Sequence, residues 1–305
     1  MDDESRFALL TLAELPRVGE RRLMRLQAHA RASQMPLASL TALPPARLAD
    51  DLRLPAAAIR RLCDERAWHL ARCTVLAQRL AAAGAELCQP GDAVYPPGWA
   101  RYGEPPPPLA TSYGNTALAR RPIVALLHSR LVSEGSVAAT LRIVRAAADD
   151  GLAIAVGGMK TPHRIAAATA RTLGAARLVV LDRGLLAAFC GDLERDPFGL
   201  GPGRGRFDAQ RTLVLSPFRP DDHALPRSGR RRDALLTALA DVIVAVSARP
   251  GGEVERCCLA ALDRGQSVLV WQGGNTALLA AAALPLESAD LGAGLRRWLP
   301  SRRPA

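Results

Sequence analysis

From residue 122 onward the chain alternates short, nearly uninterrupted apolar runs with amphipathic stretches. The runs IVALLH (123–128), AIAVG (153–157), RLVVLD (177–182), TLVLS (212–216), VIVAVS (242–247) and SVLVW (267–271) predict buried strands. Helical spacing fills most of the gaps, over 137–148, 165–173, 234–239 and 254–262. Apolar strands with helices between them predict a Rossmann-like, doubly wound parallel sheet covered on both faces. Ligands of such sheets bind at the carboxyl ends of the strands.

The first third of the chain follows another pattern. Leucines and alanines recur at helical spacing among arginines, and Pro44, Pro45 and Pro55 cut the pattern into short helices. This predicts a small all-α domain over 1–66, then a helix over about 66–83 that stops at Gly84. Residues 84–121 have loop character, and the run from Pro105 to Pro108 is confined to extended backbone. Tyr95, Trp99, Tyr102 and Tyr113 nevertheless fall there, in a chain with only 4% aromatic residues. That concentration predicts an ordered segment packed on the second domain. The expected division is 1–66 helical, 67–290 α/β, and 291–305 a short basic tail.

Composition narrows the class. Hydrophobic residues make up 49% and charged ones 23%, which fits a globular protein and excludes a disordered one. No run of about 18 uncharged apolar residues is present, so no membrane span is expected. The start, MDDESRFALL, is acidic and lacks the basic flank of a secretory signal. The six cysteines form no CxxC pair and the five histidines no i,i+4 pair, so neither metal nor disulfide is expected. Forty basic against 29 acidic residues give a net charge of +11. A cytoplasmic protein with an acidic partner is the expectation, and Lys160 is its only lysine.

Candidate chemistry lies at the strand ends. Ser129 and Arg130 follow the first strand; Gly157, Gly158 and Lys160 follow the second; Arg249, Gly251 and Gly252 follow the fifth. Glycine- or serine-bearing turns at helix N-termini offer backbone N–H groups and a positive helix end to an anion. The plainer reading is that the glycines only permit tight turns. A cation accompanies the turn all three times, which favours an anion cradle. A fourth feature, Arg227, Arg230, Arg231 and Arg232, stands at a predicted helix start and suits phosphate contact, or else is a solvated basic loop. No aromatic residue interleaves with it. Neither GxGxxG nor GxxxxGK[ST] occurs, so dinucleotide and P-loop chemistry are not indicated.

The succession GNTALARR, VALLHSR, GLAIAVGGMK, RRDALLTALADVIVAVSA, GGEVERCCLAALDRGQSVLVW and GGNTALL resembles the DprA/Smf family of DNA-processing proteins. The likeness covers roughly residues 71–286, and LPRVGERRL is similar to the helix–hairpin–helix or SAM-like start of such proteins. The resemblance implies binding of single-stranded DNA, a part in recombination through RecA loading, a homodimer formed by the α/β domain, and no cofactor. Its nucleic-acid pocket maps onto Ser129, Arg130, Gly157, Lys160, Arg231, Arg232, Gly251 and Gly252. This sequence departs from the family pattern at several positions. His128 replaces the first glycine of the GSR turn, and His163 the acid of the GID segment. Ala167 stands where a histidine follows in that helix, and Asp233 and Ala234 replace the Asn and second Arg of the RNR segment. Arg17 stands where the hairpin has its first glycine. The family's winged-helix tail is not expected, since only GLRRWLPSRRPA remains.

No catalytic residue is assigned. Glu253 and Glu255 in PGGEVE are similar to the PGGxGTxxE turn of nucleotide-cleaving lysine-decarboxylase-like proteins, but the GT is missing and the spacing differs. Acidic residues in a first helical turn are favoured by the helix dipole alone. The leading expectation is a single-stranded-DNA-binding protein without bond-making chemistry. The alternatives are a DprA-like regulatory partner that restrains a toxic enzyme in an anti-phage pair, and a nucleotide sensor or hydrolase built on Gly251 and Gly252.

Overall fold

The computed structural model describes residues 2–129, 133–200 and 205–299. Six helices come first: α1 (Asp3–Ala13), α2 (Glu20–Ala32), α3 (Leu37–Leu40), α4 (Pro45–Asp50), α5 (Ala56–Cys63) and α6 (Arg66–Ala82). Asp2 caps α1 through its side chain, and Pro45 opens α4 as a first-turn proline. Gly84 ends the bundle at φ +72°, where an L side chain is strained.

The stretch after Gly84 holds two strands that its loop-like composition concealed, β1 (Ala85–Cys88) and β2 (Ala110–Gly114). Then come β3 (Ile123–His128), α7 (Glu134–Asp149), β4 (Ala153–Gly157), α8 (Thr161–Thr172), β5 (Arg177–Val180), α9 (Leu185–Ala188) and β6 (Thr212–Ser216). The chain continues through α10 (Ser228–Leu239), β7 (Val242–Ser247), α11 (Glu253–Asp263), β8 (Ser267–Trp271), α12 (Thr276–Ala280) and β9 (Leu284–Leu286). All six strands expected from the apolar runs are present.

The nine strands form one sheet in the order β1-β2-β6-β5-β4-β3-β7-β8-β9. From β6 to β9 every pair is parallel, while β1 and β2 extend the sheet as antiparallel strands. Strand alternation sorts the apolar residues onto two faces. Val124, Leu126, Ile154, Val156 and Val179 pack in the same cluster as α7, α8 and the N-terminal helices. Ala125, Leu127, Ala155, Leu178 and Val180 pack with α10 and α11. The order reverses between β3 and β7, which makes the crevice beyond their carboxyl ends the topological switch point.

Residues 84–121 also fix α10, which packs on β3 and β4. Trp99 is fully buried and meets Tyr95 edge-on at 5.4 Å. Arg101 donates to the carbonyls of Ala238, Leu239 and Ala240, at 3.0, 3.0 and 3.2 Å, satisfying the C-terminus of α10. The segment is ordered and packed, and it anchors one end of the helix whose other end carries the arginine cluster.

Candidate nucleic-acid interface

Hydrogen bonds join the turns after β3 and β7 at the switch point. The Ser129 N–H donates to the Ser247 carbonyl at 2.8 Å and to Ser247 Oγ at 3.1 Å. Ser129 Oγ in turn accepts from the Arg249 N–H at 2.9 Å. A bulge between Leu127 and His128 shifts the β3–β7 register just before this junction. Arg130, the cation expected here, lies outside the described residues. Arg249 is exposed at the rim.

The β7 turn continues into α11. Gly251 holds φ +66° and its N–H donates to Glu255 Oε1 at 2.8 Å. Gly252 is the N-cap, where a Cβ would meet the Arg249 carbonyl oxygen at 2.8 Å. Glu255 is buried and also accepts from Asn275 Nδ2 at 2.6 Å. These bonds from Asn275 and Gly251 hold its carboxyl below the usual range. Glu253 engages Arg256 at 2.6 Å and Arg230 at 3.3 Å. Both carboxylates of the PGGEVE turn therefore organise the turn itself.

The third wall comes from β4. The Gly157 N–H donates to His163 Nδ1 at 3.1 Å, and a Cβ on Gly158 would lie 2.8 Å from Leu181 Cδ2. Lys160 is the N-cap residue of α8, exposed, with Nζ 3.4 Å from where a Cβ on Gly229 would sit. That approach brings the start of α10 beside the β4 turn. Ser129, the β4 and β7 turns and the α10 N-terminus thus stand together at the carboxyl edge of the sheet.

The sequence groups Arg227, Arg230, Arg231 and Arg232 as one phosphate-facing cluster, and the structure divides it. Arg227 is exposed, and Arg230 keeps 72% of its side chain in solvent while meeting Glu253. Arg231 turns toward the helical bundle, paired with Glu20 and lying over Phe218 at 6.0 Å. Burial lowers its pKa to about 10. Arg232 is 1% exposed, held by Asp233 at 2.7 Å and Asp182 at 3.4 Å. Arg232 is a buried structural cation beneath the edge, because two carboxylates claim it and Gly157 leaves room for it. Burial pushes the Asp233 carboxyl up, against the pull of Arg232.

Two histidines that sequence spacing kept apart meet below the cradle. His128 and His163 have ring centroids 5.7 Å apart at an interplanar angle of 90°. Burial lowers His128 to about 4 and pushes His163 well below its ordinary value, with Arg232, His128 and Lys160 adding to the effect on His163. Both rings are neutral at pH 7, so neither adds to the cationic edge. Only their positions as departures from the family pattern marked them in the sequence. Among the described residues, no group of three or more His, Cys, Asp and Glu side chains could hold a metal ion. No helix among them is long and apolar enough to cross a membrane.

Comparison with known proteins gives the same fold. The model of the family described as DNA recombination-mediator protein A matches residues 86–286. The X-ray structure of DNA processing protein A (DprA) from Streptococcus pneumoniae superposes with a TM-score of 0.68 at 17% identity, over 96% of this chain and 98% of that one. DNA processing protein A from Helicobacter pylori, whose structure was described for its single-stranded DNA binding mode, gives 0.54 at 18% identity, over 70% and 97%. No curated protein sequence matches significantly.

Proposed function

Since the chain belongs to the DNA recombination-mediator protein A family, we propose that it captures single-stranded DNA along the carboxyl edge of its sheet. The observation that carries this reading is the convergence at the switch point of three turns, from β3, β4 and β7, with the exposed cations Lys160, Arg227 and Arg249. Arg130 belongs to the same proposed set. Backbone N–H groups and helix N-termini at such an edge favour phosphate, and the glycines let a strand approach closely. Ser129, Gly157, Gly158, Gly251 and Gly252 shape the cradle, and Arg230 borders it. Arg231 and Arg232 act from behind it, through α2 and Asp182.

The activity is binding, without bond-making. Glu253 and Glu255 are committed to turn bonds, and Asp182 and Asp233 to Arg232. The biological step is DNA processing in recombination, with delivery of the strand to RecA by a homodimer. The test is affinity for a single-stranded oligonucleotide measured across salt concentration. Each neutralised phosphate contributes about −0.7 to the log–log slope. Lys160→Glu is expected to weaken binding severely and flatten the slope by about that amount or more. Equal curves for both proteins would refute the reading.

The inward pairing of Arg231 and Arg232 favours a second reading, in which the edge serves a protein partner instead. A regulatory protein that restrains a neighbouring toxic enzyme would co-purify with that enzyme and tolerate Lys160→Glu.

A further inference from the structure

The carboxyl edge continues past the cradle to a cavity beside the helical bundle. Phe218, in the turn after β6, lies under the Arg231 guanidinium. The next residue, Arg219, donates to the carbonyls of Val18 at 2.6 Å and Leu15 at 3.4 Å, seating this turn on the α1–α2 connection. Between them opens a cavity of about 250 Å³, lined by Glu14, Arg61, Trp68, Arg72, Arg219 and Asp222 among others. Only β5 separates β4 from β6. At roughly 4.8 Å per strand, the β6 turn stands about 10 Å along the edge from the Lys160 turn.

The lining is specific in kind. Trp68 is 56% exposed, with the Arg61 guanidinium 4.5 Å from its ring centroid. Arg72 Nη2 lies 3.4 Å from Glu14 Oε2, and the Asp222 carboxylate accepts from the Arg219 N–H at 3.2 Å. The Glu14 side chain is 6% exposed, and its Oε1 is buried with no hydrogen-bond partner among the described residues. Burial raises the Glu14 pKa. A bare phosphate would meet carboxylates here, and a bare cation would meet guanidinium groups. A nucleobase suits both, because it carries donors and acceptors on one edge and a π-face for the indole. Guanine fits best: O6 and N7 accept from guanidinium, while the amino edge donates to a carboxylate.

We propose that this cavity binds a guanine base, stacked on Trp68, with its O6/N7 edge toward the arginines and its amino edge toward Glu14. The proposal deepens the single-strand reading by giving the edge a base-selective end, and it rests on that reading only in taking the base from a strand. A free guanine nucleotide is the other source of the same chemistry.

The experiment uses the full chain and measures binding of GMP, a dG-containing oligonucleotide and an all-dT oligonucleotide of equal length. Wild type is expected to prefer the dG strand about tenfold, a reasonable size for a bidentate base contact. Trp68→Ala, an exposed position, should weaken both strands about tenfold. Glu14→Gln, with unfolding matched to wild type, should erase the preference. Competition by GMP in wild type but not in Trp68→Ala identifies a site open to free nucleotide; a retained dG preference without GMP binding identifies a strand-borne base. Equal affinities of wild type for dG and dT, unchanged binding by Trp68→Ala, or a preference that survives Glu14→Gln each overturns the proposal. Loss of strand binding in Trp68→Ala but not in Lys160→Glu would instead leave this site standing and remove the cradle.

Discussion

Arg232 lies across the face of Gly157, so that a Cβ at position 157 would fall 2.6 Å from Nε and 2.8 Å from Cδ. The absent side chain of one residue is the space occupied by the other. Gly157→Ala is therefore expected to push Arg232 away from Asp182 and Asp233. Overpacking costs about 1–3 kcal/mol, and disturbance of the buried pairs adds to it. Urea denaturation should register a loss of about 3 kcal/mol; a loss under about 0.5 kcal/mol would show that the contact yields freely.

The carboxylates around Arg232 make a second prediction. Asp233→Leu leaves a buried guanidinium with Asp182 alone, and breaking such a pair costs about 3–5 kcal/mol. Adding Arg232→Met removes the stranded charge, while Asp182 retains Arg183 at 3.1 Å. The double variant is expected to recover most of the stability. A double-mutant cycle with coupling below about 0.5 kcal/mol would contradict this.

Acid should loosen the protein through His128 and His163. The folded-state pKa of His128, about 4, lies below the unfolded value of about 6.5. The folded state thus binds fewer protons, and the stabilisation is complete above pH 6.5. It drains away as pH falls toward 4, by on the order of 3 kcal/mol for His128 alone. Urea midpoints measured from pH 7 to pH 4 should fall more steeply in wild type than in His128→Gln. Parallel profiles would assign the acid sensitivity elsewhere.

Arg17 occupies the left-handed region at φ +59°, where a Cβ costs about 1–2 kcal/mol. Its carbonyl accepts from Arg22 Nη1 at 2.7 Å, a bond that survives loss of the side chain. Arg17→Gly relieves the strain, and the greater freedom of glycine in the unfolded chain offsets about half of that. A rise in stability of about 0.5–1 kcal/mol by thermal or urea unfolding is expected, and a decrease would mean that the arginine side chain makes a stabilising contact of its own.

The six central strands were legible because each is a continuous apolar run, which a parallel sheet covered on both faces demands. β1 and β2 were not, since AELC and ATSYG are short and mix polar residues, and β2 completes its pairing only with the distant β6. The arginine cluster was legible as charge but not as direction. A helix turns about 100° per residue, so Arg230, Arg231 and Arg232 point to solvent, to Glu20 and to Asp182 in succession. Asp233 is their one adjacent partner, while Glu20, Asp182 and Glu253 lie far off in sequence, beyond the reach of any local pattern. The aromatic ring that the cluster lacks in sequence is Phe218, which lies under Arg231 although it stands well before the cluster, in the turn after β6.

The cluster that joins the first helices to the sheet also bears on how the chain comes apart. Leu9, Leu12 and Leu15 belong to the same apolar cluster as Val124, Val156 and Val179, and Arg219 clamps the α1–α2 connection from the sheet side. Denaturant is therefore expected to unfold bundle and sheet together. A chain nicked near Gly84 is expected to keep its two pieces together under native conditions, since each holds half of an apolar contact that is costly to expose to water.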